Sequence, residues 1–148
     1  MKTLTATAAS ALIVASLAAP AAPPSAGWQK VLARKGGCSL YVPADWKVGA
    51  VLKSSAASPD GTASAVVDRT DVATTLAEVK PVIQGMYKPV KTFEDSSQRL
   101  WYSYELNNKT QWYVGVPVKG GICGAQLTVG KPDQDATAKK IAMSVAAD

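Results

Sequence analysis

Two cysteines, Cys38 and Cys123, are the only ones in this chain of 148 residues, and more than half of the sequence lies between them. Whether they are reactive thiols or a covalent tie decides how strongly the fold is constrained. The N-terminus bears on that choice. Met1-Lys2 is followed by an Ala-rich apolar stretch through Leu12, Ile13, Val14 and Leu17, and the small-x-small pattern Ala19-Pro20-Ala21 offers a cleavage point. Residues 1–21 therefore read as a signal peptide. The run is shorter than the roughly 20 apolar residues a membrane span requires, and it is rich in Ala rather than Leu. The expectation is cleavage, with no stable membrane anchor afterwards and a periplasmic or secreted location. In an oxidising compartment an even pair of cysteines in a small domain is most simply one disulfide. A redox pair would want C-x-x-C spacing or a histidine to lower the thiol pKa, and the chain contains no histidine at all.

The missing histidines exclude more than thiol chemistry. They remove every Ser-His and Cys-His mechanism and the commonest ligand of zinc. Other constellations are weak. Glu94-Asp95 and Glu105 are carboxylates of the type a glycosidase pairs, but neighbours on a strand point to opposite faces. Lys53-Ser54 is a formal Ser-Lys pair without an S-x-x-K motif. Gly36-Gly37 and Gly120-Gly121 lack the lysine and helix that a phosphate-cradling loop needs. Asp133-x-Asp135 is too short for a calcium loop. The expectation is a protein with no catalytic residues, no cofactor and no metal. The formal charge of +5 comes mostly from lysines scattered singly, with only Arg34-Lys35 and Lys139-Lys140 adjacent after the leader. That pattern argues against nucleic acid, which selects clustered basic faces with arginine and aromatics.

The pattern of residues places a Pro/Ala-rich lead over 22–36 and a single α+β domain over 37–148. Trp28 to Arg34 fits a strand or a helical turn equally. Cys38, Leu40 and Val42 alternate toward one face, and after the turn Pro43-Ala44-Asp45 the residues Trp46, Val48, Ala50 and Leu52 repeat the alternation, predicting two short strands. Ser58-Pro59-Asp60-Gly61 is a turn, and a strand over 63–69 follows. Between Asp71 and Tyr87 the period changes to three and four, with Val72, Leu76, Val79, Val82, Ile83 and Met86 forming a helical stripe. Asp71 and the Thr75/Glu78 capping box compete as its start, and Pro81 predicts a kink or break. Strands over 99–106, 111–119 and 122–129 come next, the first two joined by Asn107-Asn108-Lys109 and the last two by Gly120-Gly121. A helix from Asp133 to about Ala146 closes the chain, with Ala138, Ile141, Ala142 and Val145 inward. If Cys38 faces the core, the disulfide joins the first strand or its lead to the last strand.

The motifs Y-V-P-A-D-W-K-V (41–48), S-P-D-G-T-A-S-A-V-V (58–67) and I-A-M-S-V (141–145), in this order of elements, resemble the PsbP-like group of small exported bacterial domains. The resemblance covers residues 39–146. It implies the Mog1/PsbP fold, an antiparallel β-sheet flanked by helices as an α/β/α sandwich. It also implies binding or accessory roles beside other envelope proteins, usually without catalytic residues. The Cys38 and Cys123 pair and the hairpin Gly120-Gly121-Ile122-Cys123 depart from what the group shares. No site residue carries over.

The remaining candidates are aromatic. Trp101, Tyr102, Tyr104, Trp112 and Tyr113 crowd onto two strands. Alternation with the turn as read places Tyr102, Tyr104 and Trp112 on one face, and Trp101 and Tyr113 on the other, beneath a helix or exposed as a platform. Trp101 and Tyr113 are thus the candidate binding surface. The functional expectation is a non-catalytic exported envelope protein that binds a protein partner, as an accessory or an inhibitor or immunity-type module. The alternative is a small-ligand or glycan-binding domain using the aromatic surface.

Overall fold

The computed structural model describes residues 22–148; the signal peptide reading falls on 1–21, outside the described residues. The elements run β1 (Gln29–Leu32), β2 (Ser39–Val42), β3 (Lys47–Val48), β4 (Ser55–Ala57), β5 (Ser64–Thr70), α1 (Leu76–Met86), β6 (Lys91–Asp95), β7 (Leu100–Leu106), β8 (Lys109–Val118), β9 (Gly121–Val129), a 3-10 turn (Pro132–Gln134) and α2 (Asp135–Ser144). Seven strands form one antiparallel sheet in the order β3-β4-β5-β9-β8-β7-β6, while β1 and β2 make a separate hairpin.

The register of the β7–β8 hairpin decides which aromatic faces where. Asn107 and Asn108 both adopt positive φ, 53° and 58°, the pair of left-handed residues that a two-residue hairpin turn requires and that asparagine tolerates. Leu106 therefore pairs with Lys109, Tyr102 with Tyr113, Trp101 with Val114 and Ser103 with Trp112. The three-residue turn expected from the sequence is one residue too long, and a slip of one flips every side chain on the strand. Trp112 lies with Trp101, not with the tyrosines.

The sheet thus has a tryptophan face and a tyrosine face. Trp101 and Trp112 join Val67, Val114, Cys123, Ala125 and Leu127 beneath the β1–β2 hairpin (Val31, Leu40, Val42) and α2 (Ala138, Ile141, Ala142). On the opposite face Leu100, Tyr102, Tyr104, Tyr113 and Ile122 are covered by Leu76 and Val79 of α1. The Cys38–Cys123 disulfide spans 85 positions with its Cα atoms 5.5 Å apart. It ties the residue before β2 to β9 in the middle of the sheet, and both cysteines are fully buried. The chain end joins the same hairpin: the Ser39 and Ala146 backbones exchange hydrogen bonds of 2.9 and 3.1 Å. Arg99 donates to the Ala142 carbonyl at 2.7 Å, placing its charge at the negative C-terminal end of α2. Burial of this guanidinium lowers its pKa from the ordinary arginine value.

Several expectations are corrected. Residues 29–32 are a strand, so the division at residue 37 falls inside the β1–β2 turn and the ordered domain reaches back into the lead. The strand expected over Trp46–Leu52 survives only as Lys47–Val48. Gly49, at φ 75°, leaves the extended region, and its N–H turns back to the Ser55 carbonyl at 2.8 Å. α1 begins after Thr75, not Asp71, because the Thr75 hydroxyl accepts from the Glu78 N–H while the Glu78 carboxylate accepts from Thr75 N–H; the Thr74 and Thr75 N–H groups donating to that carboxylate lower the Glu78 pKa. Asp71 is held by Arg69 at 2.7 Å instead. Pro81 neither breaks nor ends the helix; it removes only the donor to the Ala77 carbonyl, at an exposed residue. Val72, Val82 and Met86, read as part of the inward stripe, are exposed. β6 was not anticipated.

The β4–β5 turn is tied down by side chains. Asp60 accepts from Ser58 Oγ at 2.7 Å and from the Thr62 backbone at 3.1 Å, and pairs with Lys131 at 2.7 Å.

Two predictions follow from this frame. Breaking the disulfide, by reduction or by Cys38→Ala with Cys123→Ala, lowers unfolding free energy by about 4 kcal/mol for a loop of this length, read by urea titration of oxidised and reduced protein. The Lys131 ammonium, with the Ser58 and Thr62 donors, holds the Asp60 pKa far below its ordinary 3.8. Its stabilisation is complete above that value and is lost as pH falls below it. Thermal midpoints measured from about pH 5 to about pH 2 should therefore fall less steeply in Asp60→Asn than in the parent.

Candidate functional site

Coverage of the sheet is unequal for a geometric reason. A helix is about 10 Å across and strands lie about 4.8 Å apart, so one helix shields roughly two or three strands. The tryptophan face has both a hairpin and a helix over it. The tyrosine face has α1 alone, and α1 sits over β7 and β8. The same face of β4, β5 and β9 is left open, and its residues, Ser55, Ala57, Ser64, Val66, Gln126 and Thr128, are small or polar and half-buried.

A groove of about 420 Å³ runs along the boundary between α1 and this open half. One wall is Val79, Val82 and Ile83 of α1, the other Val66, Asp68 and Thr70 of β5, and the floor is Ile122, Gly124 and Gln126 of β9 with Tyr113 of β8. Gly115, Gly124 and Asp68 are register partners across three strands. The Tyr113 ring leans over both glycines: a Cβ on Gly115 would lie 3.0 Å from its hydroxyl, and one on Gly124 3.5 Å. The glycines thus let the ring lie flat and keep the groove open beyond it. Burial pushes the Tyr113 phenol up to about 12, so it is a neutral hydroxyl at physiological pH. Asp68 is exposed and accepts from the Arg69 backbone at 2.8 Å. Among the ion pairs of the described residues it has no cation. Val72 is 94% exposed at one end of the groove, and Val82 and Met86 are 60% and 61% exposed along the outer side of α1.

The sequence candidates fare differently. Cys38 and Cys123 come together as the disulfide. Trp101 and Tyr113 do not come together: Trp101 is 8% exposed among Phe93 and Trp112, with ring centroids 4.7 and 5.5 Å away. Tyr113 is 5% exposed on the opposite face. The expected aromatic platform is therefore internal packing, because both faces of β7 and β8 are covered; Tyr113 reaches the groove only as part of its floor. The carboxylates also separate. Asp95 pairs with Lys80, Glu94 lies 3.8 Å from Arg99, Glu105 accepts from Thr110 at 2.8 Å, and Asp135 pairs with Lys139 at 2.9 Å. Among the described residues no three His, Cys, Asp or Glu side chains gather as a metal site would require. Sequence reasoning missed the groove. Its only signal was the alternation of Ser64, Val66 and Asp68 with Ala65 and Val67, which reads equally as an ordinary solvent face.

No protein-family model matches the chain, and no curated protein matches it either.

Behind the groove, Tyr102 is fully buried with Tyr113 and Tyr104 rings 5.7 and 6.1 Å away. Its hydroxyl has no hydrogen-bond partner among the described residues, and burial raises its pKa. An unsatisfied buried hydroxyl costs about 1–3 kcal/mol, so Tyr102→Phe should leave stability unchanged or raise it by up to about 1 kcal/mol. A loss above about 1 kcal/mol in urea titration would expose a partner for that oxygen.

Proposed function

We propose that this chain is a non-catalytic, extracytoplasmic binding module whose groove between α1 and the open half of the sheet receives a segment of a protein partner. The observation that carries the reading is the groove's composition. It has an aliphatic wall on α1, a glycine-opened floor and a mixed wall of Val66, Asp68, Arg69 and Thr70 on β5, with Asp68 in no ion pair among the described residues, and apolar surface continues outward over Val72, Val82 and Met86. Apolar surface extending past a concave site and rimmed by polar groups suits a polypeptide better than a small molecule. The glycan-binding alternative depended on an exposed aromatic pair, and Trp101 and Tyr113 are buried on opposite faces.

The antiparallel sheet with α1 against one face and α2 against the other is compatible with the PsbP-like resemblance and its α/β/α sandwich, and supports an accessory or inhibitor-type role of that kind. The disulfide supports a periplasmic or secreted setting. No helix among the described residues is long and apolar enough to cross a membrane.

The test uses a photo-crosslinking residue at Val82 in the oxidised protein, expressed in its own cells. One reproducible protein adduct is expected. It should disappear when Gly124→Leu fills the groove, a substitution that meets only ordinary contacts at its Cβ, and it should be absent when the crosslinker sits at Lys139 on α2. An adduct pattern unchanged by Gly124→Leu, in a variant of unaltered stability, sinks the reading.

A further inference from the structure

Residues 47–53, Lys-Val-Gly-Ala-Val-Leu-Lys, are seven consecutive exposed positions that begin with β3 and run through the loop toward β4. Val51 is 87% exposed, Leu52 54% and Val48 39%. A run of exposed apolar residues is costly to keep in water and marks either a contact or an error of design. This loop is built to present them. The Ser55 hydroxyl donates to the Leu52 carbonyl at 2.7 Å and accepts from the Leu52 N–H at 3.2 Å. The Ser55 N–H adds a bond to the same carbonyl at 3.0 Å, and Gly49 N–H closes the base on Ser55 O at 2.8 Å. The backbone's polar groups turn inward on Ser55 while Val51 and Leu52 point away.

The charged residues within 47–53 are of one sign. Lys47 and Lys53 bracket the tip, no acidic residue lies between them, and neither lysine is in an ion pair among those of the described residues. Apolar side chains at a rigid tip between two free ammonium groups complement a surface that is anionic outside and hydrocarbon beneath. We propose that the β3–β4 loop docks the protein peripherally on an anionic lipid bilayer, Val51 and Leu52 entering between headgroups while Lys47 and Lys53 contact the phosphates. None of residues 47–53 lines the groove, so this does not depend on the partner assigned to it.

The test is co-sedimentation of residues 22–148, which hold every strand, helix and core residue described, with vesicles of phosphatidylcholine containing phosphatidylglycerol and with phosphatidylcholine alone. Binding is expected on the anionic vesicles and should weaken with added salt. Burying one aliphatic side chain is worth about a factor of ten or more, so Val51→Asp with Leu52→Asp should lower affinity at least tenfold. Each lysine near an anionic surface adds about fivefold. Lys47→Glu with Lys53→Glu should therefore cost far more binding than Lys139→Glu with Lys140→Glu, which changes net charge equally on α2. All the substituted loop side chains are solvent-exposed, so unchanged near-ultraviolet circular dichroism certifies each fold. Three results would overturn the proposal: no preference for anionic vesicles, binding undiminished in the Val51/Leu52 variant, or self-association in solution that this variant abolishes, which would make a second copy the occupant.

Discussion

The structure depends on a covalent bond between two layers that share no strand ladder. The β1–β2 hairpin is not hydrogen-bonded into the seven-stranded sheet, yet it supplies a large part of the cover for the tryptophan face. Cys38–Cys123 fixes it over β9, and the surroundings of that bond are arranged to hold it. Arg69 is the β5 partner of Cys123. Its guanidinium pairs with Asp71 at 2.7 Å and donates to the Lys119 carbonyl at 2.9 Å, and it lies so close to Gly37 that a Cβ there would displace it. One side chain thus clamps the β1–β2 turn, the β8–β9 turn and the approach to α1 around the disulfide. The φ of 68° at Gly37 favours glycine, and a side chain there would also push the Arg69 guanidinium out of place.

With two elements spent on one face, the chain has only eleven helical residues left for the other. That shortage, more than any local motif, creates the groove. A longer or second helix over β4 and β5 would need apolar residues where Ser64, Asp68, Gln126 and Thr128 stand. The polar character of that half-sheet and the single covering helix agree with one another, which marks an open face as a feature the sequence supports rather than a gap in packing.

Much of this was legible in the sequence, and the failures have physical causes. The long strands β7, β8 and β9, the capping box of α1 and the inward stripe of α2 follow from periodicity over many residues. The disulfide followed from compartment and count. The division of the aromatics failed because it turned on one residue of turn length between Leu106 and Lys109, and the two-residue solution is set by asparagine's tolerance of positive φ. The expected strand through Leu52 failed because alternation alone cannot distinguish a buried face from exposed apolar residues; Gly49 was the signal against it. β6 escaped because its outward residues are charged and its inward ones few, with a register shift between Thr92 and Glu94.

The two edges of the large sheet constrain how such a protein makes contacts. Capture of a partner by strand addition needs a regular, unprotected edge. β6 offers Lys91, Glu94 and Asp95 on a strand with an irregular register, and charge together with a bulge is how natural sheets discourage pairing. β3 is only two residues long, too short to template a ladder. Much of the exposed apolar surface lies instead on α1, beside the groove and on the β3–β4 loop, with Leu32, Val90, Leu106 and Met143 exposed singly elsewhere. Contacts made there are made by side chains, which select a partner by shape and charge. With both edges of the sheet blunted and much of its exposed apolar surface on a helix and a loop, contacts through side chains are favoured over contacts through an open strand.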